Sequence, residues 1–162
     1  KGAPVSDYPD LVEEPVDAPV APPGEAAAPA PAPAADPPYL DFLASEGYRP
    51  EVDEDGDVRF RHEGRNLFLV PYPQDPCYFC VTLPGVVECE GPEEEARALQ
   101  VANAVNRLMK SVKCVLVDGV VWISVEQFLE RPESYRAVFA RCVDVVGAAA
   151  WQVRERMRAS GD

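Results

Sequence analysis

One histidine, His62, serves the whole chain, and no second Cys-x-x-Cys accompanies Cys77 and Cys80. Both shortages remove chemistry. A structural zinc site closes with four Cys or His ligands, and an imidazole base needs a positioned nucleophile and an orienting acid. Neither a Gly-x-Ser-x-Gly elbow nor a glycine-rich phosphate loop occurs. The expectation is a protein with no catalytic residue, no metal and no cofactor, in which His62 sits at a strand end beside Glu63. Cys77-Tyr78-Phe79-Cys80 reads as strand, where residues three apart point to opposite faces. Its thiols are therefore expected as buried side chains, with redox exchange and metal binding as the alternatives. The acids of Asp53-Glu54-Asp55-Gly56-Asp57 look calcium-like, but the glycine comes fourth instead of sixth and Gly64 falls where the bidentate Glu belongs. That run reads as a solvated hairpin turn.

Basic residues are scarce. Fifteen Lys and Arg face 28 Asp and Glu, for a net charge of −13. Nucleic acid and anionic lipid are both held by basic clusters, so neither is expected as a partner. The one basic concentration, Arg154, Arg156 and Arg158, falls in the last turn of a predicted helix, where cations complement the helix dipole. Long apolar runs are missing too, and the stretch from Val145 to Trp151 is far short of the ~18 residues a membrane-crossing helix needs. Five cysteines, Cys77, Cys80, Cys89, Cys114 and Cys142, make an odd count spread over apolar positions. Such usage favours reduced thiols and a cytoplasmic setting. The sequence opens at Lys1 without a Met, which is compatible with a targeting segment removed ahead of it.

Proline is plentiful but confined. Eleven of 18 prolines lie in residues 1–38, alternating with Ala and Val as in Pro29-Ala30-Pro31-Ala32-Pro33. This composition favours extended polyproline II and supplies no core. Residues 1–38 are thus expected to be an arm or linker, with seven acids and one base. Within it only Tyr8-Pro9-Asp10-Leu11-Val12 joins an aromatic to aliphatics, which makes Tyr8 and Leu11 candidate docking residues. Residues 39–162 form the expected domain, acidic in its own right with 21 acids and 14 bases.

The domain opens on a short helix in which Pro38 suits the first turn, Tyr39, Leu40, Phe42 and Leu43 form the apolar side, and Gly47 ends it. Asp-Gly chemistry in residues 53–57 then turns a hairpin into the alternating run Val58 to His62. Strands follow at Leu67 to Val70 and, after the breaker Pro71-Tyr72-Pro73, at Cys77 to Leu83. Glu93, Glu94 and Glu95 open a helix from Pro92 to Lys110 with apolar residues at helical spacing. A hairpin joins Lys113–Val117 to Val120–Val125 through Asp118-Gly119. Ser124 and Gln127 have the spacing of a capping box, and a long amphipathic helix continues past Pro132. The expected fold is α+β, a mostly antiparallel five-stranded sheet with three helices in the order α-βββ-α-ββ-α, and a short extra strand near Val52 is allowed for.

In Leu67-Phe68-Leu69-Val70 and Cys114-Val115-Leu116-Val117 every residue is apolar, although neighbours point to opposite faces. Three helices suffice for one face. The other would leave Phe68, Val70, Tyr72, Tyr78 and Trp122 as candidate partner-binding residues, to be covered by a client peptide, a sister subunit or the arm, unless loops of the monomer cover them. The partner is therefore expected to be protein, in a homodimer or a hetero-complex. The alternative is an accessory subunit of a larger assembly, tethered by the arm.

Four stretches carry a likeness to a known family: Phe42-Leu43 with Gly47-Tyr48, Asp55-Gly56-Asp57-Val58 ahead of an aromatic strand, Ala102-Asn103-Ala104-Val105-Asn106-Arg107, and Val120-Val121-Trp122-Ile123-Ser124. Over residues 39–157 the chain resembles the YbjN-like family, bacterial proteins labelled sensory transduction regulators with a type III secretion chaperone-like fold. The resemblance implies the same element order, frequent homodimers, and protein binding in place of catalysis. The arm and the five cysteines are not part of that pattern.

Overall fold

The computed structural model describes residues 39–159. Tyr39 leads into helix α1 (Leu40–Ser45), which ends in a Schellman motif. Gly47 N–H reaches Ala44 O at 3.1 Å and Tyr48 N–H reaches Leu43 O at 2.9 Å. That geometry needs Gly47 at φ 88°, where a side chain would be strained. The strands β1 (Glu51–Val52), β2 (Val58–His62), β3 (Arg65–Leu69) and β4 (Tyr78–Glu88) come next, followed by α2 (Pro92–Leu108), β5 (Val112–Val117) and β6 (Val120–Phe128). A 3₁₀ turn at Pro132–Ser134 leads into α3 (Tyr135–Ala159).

All strands join one sheet in the order β1-β2-β3-β4-β6-β5, and every neighbouring pair is antiparallel. The fold is α+β as expected, but with six strands in place of five. The additional one is β1, which pairs only Glu51 with Arg59 and Val52 with Val58. Acidic residues 53–57 turn this hairpin. Asp53 Oδ1 accepts the N–H groups of Asp55 (3.1 Å) and Asp57 (2.9 Å). The β5–β6 turn has both Asp118 (φ 49°) and Gly119 (φ 78°) in the left-handed region, the type I′ geometry that matches strand twist.

Two boundaries differ from expectation. β4 continues beyond Leu83 through Pro84 and Gly85, where its register with β6 shifts between Leu83 and Val87. A bulge tolerates a residue with no N–H, which is why Pro84 does not end the strand. Ser124 and Gln127 are not a helix start. Ser124 lies inside β6, opposite Thr82 on one side and Lys113 on the other. Two ladders, together with complete burial of Val121, Ile123 and Val125, outweigh a capping interaction worth about 1 kcal/mol.

Along β2, β3, β4 and β6 alternate residues Val58, Phe60, Leu67, Leu69, Phe79, Val81, Leu83, Val121, Ile123 and Val125 are buried on one face. The helices pack on that face. α3 contributes Phe139, Cys142, Val146, Ala149, Ala150 and Val153 at helical spacing. Its first turns meet α1 in an aromatic cluster, with Tyr135 and Phe139 each edge-on to Phe42 at 5.2 Å between centroids. Phe60 and Tyr48 extend the cluster to β2. β5 is one edge of the sheet, and Asn106 from α2 bonds to both backbone groups of its Cys114.

Candidate functional site

The strand period that buries one face fixes what stands on the other. Register places Arg59, Phe68, Thr82, Ser124 and Lys113 in one row across β2, β3, β4, β6 and β5. Adjacent rows hold Cys80 opposite Glu126, Val115 opposite Trp122, and Tyr78 opposite Phe128. On this face lies a groove of about 380 Å³, lined among others by Phe68, Val70, Tyr72, Cys80, Thr82, Lys113, Val115, Trp122 and Glu126. Asp53, Asp55 and Asp57 from the β1–β2 turn line it as well. Trp122 is 39% exposed, Tyr72 41% and Phe128 81%.

Four of the sequence-predicted residues, Phe68, Val70, Tyr72 and Trp122, therefore share the groove. Tyr78 borders it, its ring edge-on to Tyr72 at 4.6 Å. Tyr8 and Leu11 lie outside the described residues. Sequence reasoning left out Thr82, Cys80 and Val115, although they stand in period-two phase with the aromatics and alternation could have found them. It read residues 53–57 as a turn, which they are, without placing that turn on the groove. No local signal announces that placement.

The floor is polar at one point. Glu126 accepts the Ser124 hydroxyl at 2.7 Å, pairs with Lys113 at 3.2 Å, and accepts the Tyr78 hydroxyl. Burial alone would raise its pKa, but hydrogen bonds from Tyr78, Ser124 and Lys113, with the lysine charge, hold it below the ordinary carboxylate value. Burial first, and then the same bond, push the Tyr78 hydroxyl up, so Tyr78 stays a donor. Asp57 behaves oppositely. Burial first, then the charges of Asp53 and Asp55, push its carboxyl up to about 6.

Cys77, expected as a buried strand residue, is only half-buried and stands outside the strand, because β4 begins at Tyr78. All five cysteines are free, and Cys77 lies just before β4, where Asp75 Oδ1 accepts its N–H at 3.2 Å. Cys80 is buried on the groove face with its thiol pushed up, mainly by desolvation. His62 ends β2, with Nδ1 2.9 Å from the Tyr48 hydroxyl. Among the described residues no group of three or more His, Cys, Asp or Glu could hold a metal ion, and no helix is long and apolar enough to cross a membrane.

The domain is thus α+β, with one sheet face sealed by helices and the other carrying an aromatic groove. A family model, T3SS (YopN, CesT) and YbjN peptide-binding chaperone 1, matches residues 42–158, and the chain belongs to this family. The likeness drawn from the four sequence stretches is thereby borne out. No curated protein matches the chain.

Proposed function

We propose that this chain is a peptide-binding, chaperone-like module that holds an extended protein segment against the open sheet face. The observation that carries the reading is the half-exposed apolar and aromatic lining of the groove, Phe68, Val70, Tyr72, Val115 and Trp122, opposite a face the helices already fill. Family membership supplies the class of ligand. An extended segment suits a sheet surface because its side chains alternate at the same period as the strands below it. Chemistry on the bound chain is not required of such a module, and the raised Cys80 thiol is a poor nucleophile.

The experiment uses Trp122 as reporter in a Trp151→Phe background, which leaves it the single tryptophan of the chain. Extended apolar peptides should shift its emission saturably, and Val115→Asp should abolish the shift while preserving the denaturation midpoint. A Trp122 signal unmoved by every peptide tried would remove the proposal.

A further inference from the structure

Resting on that reading of the groove, we propose that it selects a segment carrying a lysine or arginine, with the cation held at the acidic rim that Asp53, Asp55 and Asp57 form beside the ring of Tyr72. The groove lining holds four acids, these three and Glu126, against one base, Lys113. Lys113 is already paired with Glu126. The nearby Arg59 pairs with Glu51, and no ion pair among the described residues reaches Asp53, Asp55 or Asp57.

Three like charges are thus gathered at the rim of an apolar groove with no cation to offset them. The raised carboxyl of Asp57 reflects its partial burial first and that crowding second. A compact ion is not what the arrangement suits, because the acids do not converge on a metal-holding group. A long side chain fits better. Its stem would lie along Phe68 and Val70, as apolar stems of charged side chains do, and its head would meet the carboxylates and an aromatic ring that attracts cations.

Charge also separates the three candidate occupants. The N-terminal arm has seven acids and one base, and a second copy of the chain carries −13. By net charge neither complements an acidic rim, since like charges brought together at an interface disfavour the wrong partner. The occupant that complements the groove is a segment of another protein, apolar in alternation and basic at one position.

Short random peptides displayed on phage and panned on the full chain test this. The recovered sequences should share one Lys or Arg flanked by apolar or aromatic residues. Synthetic copies should bind about tenfold more weakly when that residue is replaced by norleucine. The triple variant D53N/D55N/D57N should erase the difference and still bind the norleucine peptide. The norleucine comparison is read on the unaltered chain, so it holds even where the triple variant folds poorly. Recovery of apolar sequences with no basic position overturns the inference and leaves the peptide-binding reading standing. Tighter binding of an acidic segment, including a synthetic peptide of residues 5–16, overturns it as well. Failure to recover any peptide that perturbs Trp122 overturns both.

Discussion

Asn106 on α2 does for Cys114 what a neighbouring strand would do. Its Oδ1 accepts the Cys114 N–H at 2.8 Å and its Nδ2 donates to the Cys114 carbonyl at 3.0 Å. A side-chain amide has the same donor and acceptor pair as a peptide unit. One helix residue therefore completes the hydrogen bonding of an edge strand at its most buried position, where Cys114 is 2% exposed.

Asn106→Ala should lower unfolding stability by about 1–3 kcal/mol, the range for leaving part-buried backbone groups unmade. Asn106→Asp separates the two bonds. Its carboxylate still accepts from the Cys114 N–H but turns a second oxygen on the Cys114 carbonyl. At pH 8 it should be less stable than the alanine variant, and it should recover as acid restores a donor. Urea denaturation across pH checks both, and equal pH profiles for the two variants would count against the clamp.

Asp57 sets a pH dependence of stability. Its native value of about 6 exceeds the ordinary 3.8, so between those values the folded chain binds a proton the unfolded chain does not. Stability attributable to this group is full below the lower value and is lost as pH rises through about 6. Asp57→Asn should flatten that window and stabilise the protein at pH 7 by on the order of 1 kcal/mol, allowing for the solvent that screens a half-exposed group. Thermal midpoints from pH 4 to 8 read the difference. A variant that keeps the slope disproves the assignment.

Phe139 joins α3 to α1 and β2, with ring contacts to Phe42, Tyr48 and Phe60. At 2% exposure, its truncation to Ala should destabilise by about 3–5 kcal/mol, and Phe139→Leu by distinctly less. Chemical denaturation measures both. A cost for Ala no larger than for Leu would mean the cluster collapses around the gap.

Gly147 interrupts the middle of α3, yet its φ is not in the left-handed region, and a methyl there would meet only the tip of Arg65 at 3.3 Å. That guanidinium can move away, because its partner Glu63 stands at 3.8 Å near the surface. Gly147→Ala should therefore stabilise by about 0.5–1 kcal/mol through helix propensity. A loss of stability would show that Arg65 is held rigidly.

Features written within a few residues of one another were legible in the sequence. The Asp118-Gly119 turn, the Gly47 stop, the acid-led start of α2 and the doubled apolarity of β3 each have a local cause. Doubled apolarity marks Phe68 and Val70 directly and points to an uncovered face for Tyr72 and Trp122, and the groove gathers all four because β3, β4 and β6 are neighbours. Ser124 and Gln127 misled because a capping pattern is local, whereas the pairing that overrides it comes from strands about 11 and 42 residues away, at Lys113 and Thr82. The Asp53 to Asp57 rim and the Asn106 clamp were hidden for the same reason. Each acts on a surface supplied by a distant segment, and no spacing within its own element records the meeting.

The Asn106 clamp also decides how far the sheet can grow. β5 ends its ladder against its own helix, and the opposite edge, β1, is only two residues long. Short or covered edges are how natural sheets resist recruiting further strands. On the proposed reading, a segment held on the face would add one layer and not one more rung, so that binding it would not extend the sheet toward a fibre.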